Sequence, residues 1–264
     1  MGKFKGKSVF LTGGSTGIGR QTALDFAKEN AKVTIFDINE EGGQKTTKDC
    51  KTAGAEKVLF IKGDISNYAS VDGAIQKAFD EMGTVDILIN SAGVLRDAMI
   101  HKLEEKNWDF VIAINLKGTF LAIQACAKRW IEKCKTMGEL PTMQYPDRRI
   151  INISSMAANG NIGQINYGAS KAGVIGLTLT AAKELVRYNV RTHAIQPTVV
   201  ETPLTEDLLT KQDGKFKEMY EGKIPFGIGK TSYISDVILF LAGPESIFMN
   251  GNIISINGGK LGDL

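Results

Sequence analysis

The sequence has little of what several function classes require. It holds three cysteines, Cys50, Cys126 and Cys134, with no C-x-x-C pair, and only two histidines. An odd, unclustered set argues against a disulfide framework and fits a reducing compartment; with no histidine at ligand spacing, no metal site is expected. The net charge is only +3, and no Lys/Arg stripe is interleaved with aromatics, so a nucleic-acid surface is not expected either. No Pro-, Gly- or Ser-rich linker, low-complexity tract or repeat interrupts the 264 residues, which points to one domain over 1–264. The longest apolar run, Val111–Ala127, is broken by Asn115, Lys117 and Gln124, so a membrane span is not expected. The opening MGKFKGKSVFLTGG has no apolar signal core, and Gly6 stands where a myristoylation signal wants Ser or Thr. These absences together describe a soluble cytoplasmic protein.

What is present is an alternation. Short apolar runs (Ser8–Leu11, VTIFD, KVLFIKGD, VDILIN, RRIINIS, VRTHAIQ, NIISIN) are separated by helical patterns over Gly17–Glu29, Glu40–Thr52, Tyr68–Met82, Val111–Glu132, Gln164–Arg187 and Ser232–Leu241. Apolar strands of this length, each followed by an amphipathic helix, are βαβ units. Strands apolar on both faces belong in a parallel sheet covered on both sides. The expected fold is therefore α/β, a single doubly wound Rossmann-type domain with about seven strands, and ligands bind such sheets at the carboxyl ends of the strands.

The strand ends carry the chemistry. After the first stands 12-TGGSTGIG-19. Glycines between a strand and a helix let backbone N–H groups at the helix start approach a pyrophosphate. The spacing is G-x-x-x-G-x-G rather than G-x-G-x-x-G, so a purely structural turn remains the alternative. The second strand ends at Asp37, where a carboxylate can accept ribose hydroxyls and repel a 2′-phosphate; the alternative is a helix N-cap. The third ends at Asp64-Ile65 and the fourth in 90-NSAG-93, where Asn90 can bond across strands and Ala92 and Gly93 keep a cleft floor small. Asn115 lies among apolar residues in FVIAINLKGTF. A buried amide must find partners, either in the core or at a water-filled site. The fifth strand ends in Ser154-Ser155, and twelve residues after Ser155 comes 167-YGASK-171, whose Tyr167 and Lys171 share one helix face.

TGGSTGIG, Asp37, Asp64, NSAG, Asn115, ISS and YGASK, in this order, resemble the short-chain dehydrogenase/reductase family over essentially the whole chain. VRTHAIQPTVVETP resembles the family's nicotinamide-lining segment and GNIISINGG its last strand. The resemblance implies an NAD(H)-dependent oxidoreductase acting on a secondary alcohol or its ketone. Tyr167 would be the general acid/base, Ser155 would bond the same substrate oxygen, and Lys171 would bind the nicotinamide ribose and lower the tyrosine pKa. Asn115 would hold a water linking Lys171 to solvent. Cofactor contacts are expected from Gly13, Ser15, Thr16, Gly17, Ile18, Gly19, Asp37, Ile38, Asp64, Ile65, Asn90, Ala92, Gly93, Tyr167, Lys171, Pro197, Val200 and Thr202. Asp37 argues for NAD(H) over NADP(H).

Three departures accompany this resemblance. The family usually places one more residue between its serine and tyrosine, which would select Ser154, whereas motif order selects Ser155. Ser91 replaces the second Asn of the usual N-N-A-G. Thr198 stands where a Gly is usual, so the loop Thr198–Thr202 is expected to run differently. Two insertions also stand out. Lys133–Arg149 is a long polar connection, read as a solvated insertion. Residues 203–230 contain a helical insert, Leu204–Lys223, expected to be a substrate lid; it mixes Leu208, Leu209, Phe216, Met219 and Tyr220 with charges. DINEEG and the terminal pattern carry a slighter resemblance to 15-hydroxyprostaglandin and insect-type alcohol dehydrogenases. The alternative within the class is a 3-oxoacyl-thioester reductase, normally NADPH-linked, and outside it a non-catalytic NAD-sensing scaffold. Relatives are commonly tetramers joined through the helices carrying Asn115 and Tyr167, so a homo-oligomer, dimer or tetramer, is expected.

Overall fold

In the computed structural model of the chain, one seven-stranded sheet runs β3-β2-β1-β4-β5-β6-β7, and every pairing is parallel. The structure describes residues 2–210 and 215–260; the side chains of Leu208 and Phe216 lie outside the described residues. The strands are β1 Ser8–Thr12, β2 Lys32–Asp37, β3 Lys57–Lys62, β4 Ile87–Asn90, β5 Arg148–Ile153, β6 Val190–Pro197 and β7 Ile253–Ile256. The helices are α1 Gly17–Lys28, α2 Glu40–Ala53, α3 Tyr68–Met82, α4 Glu105–Val111, α5 Gly118–Thr136, α6 Ile165–Leu185, α7 Pro203–Thr210, α8 Lys215–Lys223 and α9 Thr231–Ala242.

Strand alternation explains why both faces are covered. Val9 and Leu11, Ile87 and Ile89, and Ile151 and Ile153 point to one face, where Ala23 and Phe26 of α1 and Ile234, Ile238 and Leu241 of α9 bury them. Phe10, Leu88 and Ile150 point to the other, against Ile75 of α3 and Leu121 and Trp130 of α5. The strand order reverses between β1 and β4. Crossovers leave that point on opposite faces, so a crevice opens there beyond the strand ends.

The long apolar helix differs from its expected form. Helical structure starts earlier, at Glu105, because the first turn, Glu105–Asn107, is polar and offers nothing for apolar periodicity to detect. It is interrupted by a π-helical turn at Ile112–Lys117 before α5. Residues 105–136 are long and apolar enough to cross a membrane by length and composition, but half of the most apolar window is buried inside the fold. The polar insertion is anchored rather than loose: Asn189 Nδ2 donates to the Tyr145 carbonyl at 2.7 Å, and Tyr145 Oη donates to the Gly138 carbonyl. It lies beside the start of β5 and β6, at the sheet end opposite the crevice.

Candidate active site

The crevice is a cleft of about 290 Å³. One end is built from backbone. Gly13 has φ 69° and Gly17 φ 54°, left-handed values that favour glycine. A Cβ on Gly13 would stand 2.7 Å from the Ala92 Cα, so the β1 and β4 ends approach too closely for a side chain. The Thr12 hydroxyl fixes that approach by accepting from the Ser91 and Ala92 N–H groups, both at 3.2 Å. At the end of β2, Asp37 accepts from the N–H groups of Ser15 and Asn39, at 3.0 and 2.9 Å. Its carboxylate is thereby held at the cleft wall. Arg20 is engaged by Asp49 at 2.7 Å and Lys62 by Glu40 at 2.9 Å.

The other end is built from side chains. Lys171 is 4% exposed; its Nζ donates to the Ile153 carbonyl at 2.7 Å and lies 5.5 Å from the centroid of the Tyr167 ring. Burial pulls the Lys171 ammonium down to about 8. Burial pushes the half-buried Tyr167 phenol up to about 12; the Ser155 hydroxyl beside it acts in the lowering direction, and the Asp97 carboxylate adds to the rise. In the chain by itself the phenol is thus held in its acid form. The expected lowering of the phenol by Lys171 does not appear: its ammonium stands 5.5 Å from the ring centroid, and enclosure sets the direction.

The two serines separate cleanly. Ser154 is 2% exposed and its hydroxyl donates to the Lys171 carbonyl at 2.8 Å, inside the helix contact. Ser155 is half-buried, caps the short 3-10 turn Met156–Asn159 by accepting from Ala157 N–H, and adjoins Tyr167. Ser155 is the hydroxyl beside the phenol.

Most expected contacts share this cleft: Gly13, Thr16, Gly17, Ile18, Asp37, Ile38, Asp64, Ile65, Ala92, Gly93, Ser155, Tyr167, Lys171, Pro197, Val200 and Thr202 line it. Four do not form its wall. Ser15 turns inward, its hydroxyl donating to the Asn39 carbonyl at 3.0 Å, and it acts by holding Asp37. Gly19 lies beneath the loop, where a Cβ would come within 2.1 Å of the Gly13 carbonyl oxygen. Asn90 is buried and donates to Asn152 Oδ1 at 2.8 Å, a cross-strand tie. Asn115, in the π-helical turn, is 0% exposed. Its Oδ1 accepts from Val94 N–H at 2.8 Å, and its Nδ2 donates to the Val94 carbonyl at 3.1 Å and to Ser170 Oγ at 3.2 Å. Its amide therefore stitches the loop after β4 to α6. Wall residues that the strand-end residues did not announce include Phe36, Gly63, Val94 and Ile114, while Leu204, also on the wall, opens the insert expected to lie over the substrate. Gly63 and Val94 adjoin expected positions and were within reach of the strand-end rule, whereas Ile114 carries no polar signal.

Thr198 resolves one departure. Its φ is not positive, so the backbone here does not require glycine, and its N–H donates to the Ile256 carbonyl at 3.1 Å. Its hydroxyl is buried at the cleft wall with no partner among the described residues.

A nicotinamide dinucleotide fits these groups. The glycine cradle leaves room where a Cβ would clash, Asp37 offers a carboxylate at one end, and Thr198 brings an orphaned hydroxyl and Lys171 a cation to the other. The short chain dehydrogenase family matches residues 7–213. The chain belongs to that family. The 3-oxoacyl-[acyl-carrier-protein] reductase of Thermotoga maritima is 36% identical over 97% of this dehydrogenase and 98% of its own length. The (3R)-3-hydroxyacyl-CoA dehydrogenase of Canis lupus familiaris is 34% identical over 95% of each chain. Levodione reductase superposes with a TM-score of 0.88 at 28% identity, covering 97% of this chain and 98% of its own. This short-chain dehydrogenase is an oxidoreductase acting on CH–OH groups.

Proposed function

We propose that the enzyme moves a hydride between NAD(H) and carbon C3 of an acyl thioester, interconverting a secondary alcohol and a ketone there. The reading rests on one observation: the Tyr167 phenol, the Ser155 hydroxyl and the Lys171 ammonium share a cleft whose far end is held by the Asp37 carboxylate. The thioester is supported by the names of the relatives, one for acyl groups on a carrier protein and one for a CoA ester. NAD(H) is supported by Asp37, because a carboxylate repels a 2′-phosphate.

The nicotinamide, when bound, supplies or accepts the hydride. The chain supplies the proton and the geometry. Tyr167, kept protonated by its enclosure, gives its proton to a carbonyl oxygen in reduction and recovers it from the alcohol in oxidation. Ser155, beside the phenol, donates to the same oxygen and stabilises charge developing there. Lys171, aligned by its bond to Ile153, places a cation at the ring, which favours the phenolate left when the proton has been given up. Asn115 holds the loop after β4 against α6, so that Gly93, Lys171 and the phenol keep their spacing.

Assembly through α5 and α6 is supported by exposed Phe120 and Leu179 on those helices; light scattering on the purified protein reports the oligomer. The test of function is a panel of 3-hydroxyacyl-CoA esters, simple alcohols and ketones with NAD(H) and NADP(H), following reduced-nicotinamide absorbance. The proposal expects thioesters with NAD(H) to give the highest kcat/KM. A preference for NADPH would overturn the ribose argument.

A further inference from the structure

The end of the sheet opposite the cleft holds a second cavity, of about 190 Å³, whose polar wall is Lys3, Lys7, Asp86, Asp147 and Arg149. Arg149 is the second residue of β5, set between Ile87 of β4 and Arg191 of β6. It is 1% exposed. A guanidinium cannot shed its charge, so one buried this deeply needs partners for it. Arg149 has few. Its Nη1 donates to the Asp147 carboxylate and, at 3.2 Å, to the Arg148 carbonyl. Its Nε and Nη2 have no hydrogen-bond partner among the described residues. Asp147 does not balance it alone, because Arg191 Nη1 donates to the same carboxylate oxygen at 2.6 Å.

Two cations therefore share one carboxylate, and one positive charge is left over. Its field is felt on the next strand: burial first, then the charges of Arg149 and Arg191, pull the His193 imidazole down to about 4. The other charges on the wall come in opposite pairs and leave the surplus unchanged. Lys3 is paired with Glu245 at 2.7 Å. Lys7, which is exposed, faces Asp86, whose carboxylate accepts from the Ser8 N–H at 2.9 Å.

We infer that this cavity is an anion site, in which a small oxyanion, a phosphate or a carboxylate, lies against the Nε–Nη2 edge of Arg149 with Lys7 at its open side. That edge of a guanidinium presents two parallel N–H groups, which match two oxygens of such an anion. The volume suits a small ion, since sites for drug-sized ligands run to about 300–1,000 Å³. The ion supplies the missing negative charge and ties the start of the chain, through Lys7, to the head of β5. It lies at the far end of the sheet from Tyr167, so the inference does not depend on the proposed activity.

The test is calorimetric titration of the full chain with sodium phosphate and with sodium acetate, at an ionic strength held constant with chloride. Excess NADH is present throughout to fill the dinucleotide cleft. Saturable binding of at least one of the two anions is expected; tighter phosphate assigns a phosphate site, tighter acetate a carboxylate site. Lys7→Glu should weaken that binding about five- to tenfold, as expected for reversing one exposed charge, and Arg149→Met should abolish it. NADH affinity should be unchanged in both variants. Absence of saturable binding to the wild type overturns the site, and so does binding that the variants retain in full. Lys7 is at the surface, so if Arg149→Met does not fold, Lys7→Glu decides by the same loss.

Discussion

The two ends of the cleft solve different problems with different materials. The dinucleotide end is made of main chain and small residues: Gly13 with φ 69°, Gly17 with φ 54°, and a carboxylate pinned by two N–H groups. The reaction end is made of side chains held in unfavourable surroundings. There an ammonium is pulled down to about 8 and a phenol pushed up to about 12, both by burial. The first end recognises by shape and fixed dipoles. The second stores free energy in its own charged group, and strongly perturbed groups in a cleft mark the place where chemistry is done.

That contrast can be broken most severely at Lys171. Lys171→Met should lower turnover about 10²–10⁴-fold, the range of a positioned acid–base contribution. The same variant should fold more stably. Between about 8 and 10.5 the unfolded chain holds the lysine proton and the folded chain does not, so stability rises with pH through that window and is depressed below it. The gap corresponds to about 3 kcal/mol. Denaturant unfolding at pH 7 should show a gain of that order in the variant, shrinking to nothing above 10.5; a loss of stability at pH 7 would show that the ammonium is not a cost to the fold.

The serines sharpen the comparison next. Ser155→Ala should cost about 10²–10³-fold in kcat, the effect of removing one donor to a developing oxyanion. Ser154→Ala removes only a bond to the Lys171 carbonyl and should cost about tenfold or less, since a hydrogen bond of this kind contributes about 0.5–1.5 kcal/mol. Steady-state kinetics on both variants decide the matter, and equal losses would contradict the assignment. At the other end, Asp37→Ser should leave kcat with NAD nearly intact and narrow the NAD-over-NADP ratio of kcat/KM about 10–100-fold, equivalent to about 1.4–2.7 kcal/mol of relieved repulsion. The smallest effect is expected at Thr198. Thr198→Ala should raise the KM for the cofactor about two- to fivefold by removing one neutral hydrogen-bond donor.

The sequence made the dinucleotide end easier to read than the reaction end. Its determinants are local: glycines that need left-handed φ, and an acid at a strand end, announce themselves at fixed offsets from an apolar run. The strand-end rule also gathered Asp64, Ala92 and Gly93 at one wall. Two kinds of information stayed hidden. Whether a polar residue faces the cleft or turns into the body depends on partners far along the chain, as with Asn90 bonded to Asn152 and Asn115 bonded to Val94. Backbone irregularity without a Gly or Pro signal is equally silent, and the π-helical turn at Ile112–Lys117 fell inside what periodicity describes as one helix. Thr198 shows the reverse case, a residue whose replacement of the usual Gly suggested a different backbone, although it sits at a non-positive φ that any residue can adopt.

Everything in the reaction end turns on whether Tyr167 carries the proton. The direct measurement is single-turnover reduction by Tyr167→Phe alongside NADH affinity from fluorescence. The phenol oxygen is all that this substitution removes, so NADH should bind within about twofold of wild type while hydride transfer falls about 10²–10⁴-fold. Transfer at an ordinary rate with NADH normally bound would contradict the account.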